Sequence, residues 1–156
     1  MKLDRLDARI LAELQLDGRS SVVELSERVG LTGTPCARRV RQLEQNGVIL
    51  GYTAILDPAR LGLNVQAFIQ VKLDRHTDEN VDQFRRKLTT FEQVVSCFAT
   101  TGEYDFVLQV VAPDLEALSV LVLKKLLKIA FVRDVHSSIV LETIKRPTRV
   151  PLAHLA

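Results

Sequence analysis

The chain has 156 residues, a formal net charge of +2 and 47% hydrophobic side chains. That is too apolar for a disordered tail and long enough for one domain or two small ones, and it is too nearly neutral for a protein that grips polyanions by bulk charge. Cys36 and Cys97 lie far apart with no CxxC spacing. They give no zinc site and no disulfide framework, and read as small buried hydrophobes in a reducing compartment. The N-terminus, Met1 to Asp7, lacks the apolar run of a signal peptide. The most apolar stretch, Leu115 to Leu127, is interrupted by Glu116 and Lys124-Lys125 and is too short to span a bilayer. A soluble, cytoplasmic protein with no membrane partner is expected.

The first helix is predicted from about Leu3 to Leu16, with Leu3, Leu6, Ile10 and Leu14 on its buried face and Leu11 beside them. Asp4 and Asp7 suit the positive end of its dipole. Ser21 and Glu24 have capping-box spacing and open a second helix, Val22 to Val29, which Gly30 stops. Only Gly30-Leu31-Thr32 separates it from a third helix that runs to Gly47, with Thr32 as its expected cap and Pro35 tolerated in its first turn. Cys36, Val40 and Leu43 make a thin apolar keel. Thr34, Ala37, Arg38, Arg41 and Gln42 fall on other faces, and Arg39 also reads as lying outside the stripe. A short helix, a glycine-containing turn and a basic helix form the helix-turn-helix signature, whose last helix enters the major groove of double-stranded DNA. Arg38, Arg39 and Arg41 are expected to divide between phosphate and base contacts, and Thr34, Pro35, Ala37 and Gln42 to meet base edges or methyls. Ser21 and Thr32 complete the expected DNA-contacting set.

After Gly47 the pattern changes. Val48-Ile49-Leu50 is a short apolar run, Gly51 a turn, and Tyr52 to Leu56 a weakly alternating strand. This is either a short wing or a linker strand that pairs with another chain. The expected division is a DNA-binding domain over 1–51, a linker strand and hinge over 52–64, and a second domain over 65–156.

From Val65 the period becomes 2: Val65, Ala67, Ile69, Val71 and Leu73 alternate with Gln66, Phe68, Gln70 and Lys72. A helix starting at Thr77 or Asp78 places Val81, Phe84 and Leu88 on one face. A second strand covers about Gln93 to Thr100 and a third Asp105 to Ala112. A long helix spans about Leu115 to Ile129, and a last strand Val132 to Ile144. The order β-α-β-β-α-β is the ferredoxin-like arrangement. The fold class is α+β. Each strand is apolar on both parities, so the sheet's open face is expected to form a dimer.

No glycine-rich phosphate loop, HExxH or GxSxG is present, and no cluster has metal-ligand spacing. No catalytic residue, metal or cofactor is therefore assigned. His76 and His154 read as bystanders, and His136 as a structural residue of the last strand. The most chemically loaded spot is Gly102-Glu103-Tyr104-Asp105, a tight strand connection. It is either a soluble hairpin turn or one wall of a small polar site. Its backbone N–H groups would hold a carboxylate and a carboxylate side chain would hold an amine, the two groups an amino acid offers.

Several stretches together resemble the Lrp/AsnC family of transcription regulators. They are Leu3-Asp4-Arg5-Leu6-Asp7, Ile10-Leu11-Ala12-Glu13-Leu14, Asp17-Gly18-Arg19, Val29-Gly30-Leu31-Thr32, Arg38 to Glu44, Gly47 to Ala54 and Thr101 to Asp105. The resemblance covers nearly the whole chain. It implies a helix-turn-helix domain joined by a linker strand to an effector-binding and oligomerisation domain, in homodimers that assemble further, often to octamers. It also implies an amino-acid effector bound between subunits near Gly102, Glu103, Tyr104 and Asp105. Ser137 would be a hydroxyl contributor from the last strand, while Val135 stands at the family's other hydroxyl position. Sirohaem decarboxylases resemble the same layout and use histidines in the second domain. On that alternative His136 is the candidate.

Overall fold

Asp4 and Asp7 cap each other's backbone at the start of α1 (Arg5–Leu16), and Ser21 and Glu24 do the same for α2 (Val22–Val29). Gly30 ends α2 at φ 71°, a left-handed turn that any Cβ would strain, and only Leu31 and Thr32 separate it from α3 (Gly33–Gln45). The three helices enclose a small core of Ile10, Leu11, Leu25, Val29, Cys36 and Leu43. These coordinates come from a computed structural model, which describes residues 2–75, 77–146 and 149–155. The chain divides into two compact units, Met1–Ile55 with Lys145–Ala156, and Leu56–Ile144.

That division differs from the expected one at the C-terminus. The tail belongs to the helical unit, not to the sheet unit. Val150 and Gln15 of α1 are joined by two hydrogen bonds, in which the Val150 N–H donates to Gln15 Oε1 at 2.6 Å and Gln15 Nε2 donates to the Val150 carbonyl at 3.3 Å. Leu152 packs against the three-helix core, in a groove of about 520 Å³ that Leu11, Leu14 and Ile49 also line. Residues 50–56 form no ladder. Among the described residues no strand pairs with this stretch. Val48 and Ile49 instead fold back, both N–H groups donating to the Leu43 carbonyl.

In the sheet unit the elements are β1 (Val65–Leu73), α4 (Asp78–Leu88), β2 (Val94–Ala99), β3 (Phe106–Ala112), α5 (Leu115–Ser119) and β4 (Val132–Ile139). The sheet is antiparallel throughout with order β2-β3-β1-β4. Ala67, Ile69 and Val71 alternate onto the buried face with Phe84, Leu108, Val110, Leu121 and Leu126. α5 continues into a π-wound segment, Val120–Leu126, in which the Leu127 N–H donates to the Val122 carbonyl. Leu121 and Leu126 are five residues apart. An α-helix would splay them roughly 140° around its axis, whereas π winding stacks them, and both are buried. β4 ends five residues short of the expected Ile144, because its ladder partner β1 begins at Val65.

The open face is less apolar than expected. By register Phe68 lies opposite Gln109, itself paired with Ser96, while Gln70 lies opposite Val107, itself paired with Phe98. The Ser96 hydroxyl donates to Gln109 Oε1 at 3.1 Å. Apolar and polar residues thus share each row, with Phe68 42% and Phe98 59% exposed.

Candidate nucleic-acid interface and ligand turn

The α2–α3 turn is fixed from both sides. The Leu31 N–H donates to the Ser26 carbonyl at 2.9 Å, and the Thr32 carbonyl accepts from the Cys36 N–H at 3.1 Å. Thr32 sits in extended cap geometry, but its side chain makes no capping bond, contrary to expectation. Position N3 of α3 is Pro35, which has no N–H to donate. The Ser21 hydroxyl, by contrast, is engaged in the α2 cap. It accepts from the Glu24 N–H and donates to Glu24 Oε2 at 2.7 Å, while the Ser21 N–H donates to the same oxygen. The Ser21 hydroxyl and N–H hold the Glu24 carboxyl below its ordinary pKa.

One face of α3 is open. Thr34, Ala37, Arg38 and Arg41 follow i, i+3, i+4, i+7 spacing and, with Gly33 and Val22, line a shallow depression of about 430 Å³. Arg38 and Arg41 are exposed and make no ion pair among the described residues. Pro35 and Gln42 are exposed along the Arg38 flank. Arg39 differs from its neighbours. Its Nη1 donates to Asp4 Oδ2 at 2.8 Å and to Asp7 Oδ1 at 2.7 Å, and its side chain is only 23% exposed. Of the three arginines expected at DNA, the structure turns this one back onto α1.

The second site is the turn between β2 and β3. Gly102 takes φ 116°, which a Cβ would strain. The Thr100 N–H donates to the Asp105 carbonyl at 2.9 Å and the Thr100 hydroxyl to the Tyr104 carbonyl at 3.1 Å. Asp105 is half-buried and ties the turn to β1, since its Oδ2 accepts the Leu73 N–H at 2.7 Å and its own N–H donates to the Val71 carbonyl. Glu103 is exposed. The Tyr104 hydroxyl donates to Asp134 Oδ2 at 3.4 Å, and its ring lies 6.3 Å from that of His136. Partial desolvation, then the Asp134 carboxylate, pushes the Tyr104 phenol up.

Ser137 does not join this group. It pairs with Ile69 on the helix-covered parity of the sheet, while Asp134 and His136 pair with Lys72 and Gln70 on the open parity. Sequence reasoning missed Asp134, although its period-2 relation to His136 was a usable signal. His76 lies outside the described residues. His154 lies in the short turn Ala153–Leu155. No described helix is long and apolar enough to cross a membrane.

A helix-turn-helix with an exposed arginine face, followed by a βαββαβ unit with a polar turn at the end of its sheet, defines a DNA-binding regulator with a ligand-binding domain. Residues 3–49 match a family model of winged helix-turn-helix DNA-binding domains, and residues 66–150 match the Lrp/AsnC ligand-binding domain. The chain belongs to the Lrp/AsnC family of transcription regulators. It is 40% identical to the leucine-responsive regulatory protein of Escherichia coli over 148 residues, which cover 95% of this chain and 90% of that protein. A Neisseria meningitidis transcriptional regulator solved in complex with L-Met superposes with a TM-score of 0.94 at 44% identity, covering 99% of both chains. An AsnC-family transcriptional regulator from Agrobacterium tumefaciens superposes with a TM-score of 0.91 at 36% identity, over 99% of this chain and 100% of that one. These relatives are regulators.

Proposed function

We propose that this regulator reads its operator through the Arg38–Arg41 face of α3 and responds to an amino acid at the Gly102–Asp105 turn. The observation that carries the first part is the pair of exposed guanidinium groups beside Thr34 and Ala37, which have no ion-pair partner among the described residues. One arginine–guanine contact contributes about 1–3 kcal/mol of discrimination, and phosphate contacts add affinity and salt dependence. Thr32, Pro35 and Gln42 flank that face, and Ser21 presents the start of α2 beside it. The double change Arg38→Ala plus Arg41→Ala abolishes operator binding in a gel-shift assay and leaves the oligomer intact on a sizing column. Binding at the parent level would overturn the assignment.

For the effector, the backbone N–H groups around Gly102 suit a carboxylate, and Glu103 with Asp134 suits an ammonium. Tyr104 and His136 supply a side wall. Asp105 acts by holding the turn against β1. The L-Met complex of the neisserial relative makes L-methionine the first ligand to try. A thermal-shift screen of the twenty amino acids tests this part, because a ligand at 100 times its Kd adds about 2.7 kcal/mol of stability. The working unit is a cytoplasmic homodimer that assembles further, up to an octamer. Phe68 and Phe98 on the open sheet face support association, and a two-fold axis supplies two α3 helices for two half-sites. The protein acts by binding and not as an enzyme, as its regulatory relatives do.

A further inference from the structure

Three arginines stand within four positions of α3, and among the described residues only Arg39 has an ion-pair partner. Asp4 and Asp7 form a reciprocal cap at the start of α1, the Asp4 N–H donating to Asp7 Oδ2 at 3.1 Å and the Asp7 N–H to Asp4 Oδ1 at 2.9 Å. Each carboxylate therefore spends one oxygen on the cap and offers the other. Both spare oxygens accept from Arg39 Nη1. The Asp7 residue is 4% exposed, so its charge is kept out of water by this arrangement. A guanidinium facing two carboxylates has no surplus charge for a phosphate. The apolar grip on α3 is narrow, with only Cys36 and Leu43 fully buried and Val40 partly so.

We infer that Arg39 is a positioning residue and not a DNA contact: clamped by Asp4 and Asp7, it fixes the angle and axial register of α3 against α1, and thereby where Arg38 and Arg41 meet base edges. The clamp rests on the α3 reading face proposed above. Sequence discrimination by this protein then depends on two acidic residues at its N-terminus that never approach DNA. The two changes Arg39→Ala and Asp7→Asn have opposite effects on charge. A phosphate-contacting Arg39 would make them act in opposite directions, while a clamp makes them act alike.

The test uses the full-length protein, a duplex it selects from a random pool, and a scrambled duplex of the same length. Affinity for both is measured across a salt series. Arg39→Ala and Asp7→Asn are each expected to cut the selected-to-scrambled affinity ratio about tenfold, the scale of one misplaced arginine–base contact. The salt slope on the scrambled duplex stays at the parent value. Arg39→Lys recovers most of the ratio, because a single nitrogen carries both bonds. The inference is overturned if Arg39→Ala weakens both duplexes equally with a salt slope shallower by about 1, or if Asp7→Asn leaves or raises the ratio. Should Asp7→Asn fail to fold by circular dichroism, Asp4→Asn replaces it with the same expectation and the same refutation. Arg38→Ala plus Arg41→Ala is run alongside. If that variant keeps its ratio the reading face is wrong, and this failure is separate from that of the clamp.

Discussion

The C-terminal tail is expected to contribute to the stability of the helix-turn-helix and little to that of the sheet. The perturbation is Leu152→Ala combined with Gln15→Ala. Gln15 exchanges two hydrogen bonds with the Val150 backbone. Both are exposed, so the pair contributes about 1 kcal/mol net. Leu152 is partly buried against the core of Ile10, Leu11 and Leu43. A full Leu→Ala burial loss is about 2–5 kcal/mol, and partial burial brings it to about 1–2. The sum, about 2–3 kcal/mol, lowers the Tm of a unit this small by roughly 10–20 °C. Hydrogen exchange read by mass spectrometry locates the effect. Protection falls at the Ile10, Leu11 and Leu14 amides of α1 and holds at Ile69 and Leu108 in the sheet. Parental exchange at α1 together with a Tm within about 2 °C of the parent would refute the reasoning.

Two further outcomes follow from the same geometry. Asp105→Ala leaves the buried Leu73 N–H without the acceptor it now has at 2.7 Å, so a urea titration should show about 1–3 kcal/mol of lost stability, and the variant should lose effector response while still binding DNA; equal ligand affinity in variant and parent by titration calorimetry would place the effector elsewhere. Glu24 titrates below its ordinary value of 4.5 because the Ser21 hydroxyl and then the Ser21 N–H hold its ionised form. A depressed carboxyl stabilises the fold above its unfolded pKa and loses that contribution as pH falls through the folded one. The parent should therefore lose this part of its stability below pH 4.5, and Glu24→Gln should show a shallower acid slope in the same window; identical slopes in melts from pH 6 to pH 3 would count against the cap.

What the sequence made legible was local, and what it hid was tertiary. The α2 boundaries are readable because Ser21, Glu24 and Gly30 are chemical punctuation whose partners lie within a few residues. β1 is readable because its alternation is uninterrupted from Val65 to Leu73. Part of the reason Thr32 makes no cap bond was readable, since Pro35 removes the N3 donor. Arg39 was less legible: it reads as lying outside the stripe, and the structure turns it onto α1. Its composition is that of Arg38 and Arg41, but it stands three residues after Cys36 and four before Leu43, which is core spacing. A charge on the buried side of a helix needs a partner, and Asp4 and Asp7, grouped at the start of α1, were the available acids. Reading the wheel before the charge would have set Arg39 apart from the exposed Arg38 and Arg41. For the tail no such route existed. Val150, Leu152 and Leu155 carry no periodicity, and their placement depends on a groove made by α1 and Ile49. The π-wound turn was hidden for the same reason: Leu121 and Leu126 share a face only once a sheet is there to bury both. Ser137 and His136 show how narrow the margin is in a strand. Adjacent residues of β4 face opposite sides of the sheet, so one position decides which of them meets Tyr104.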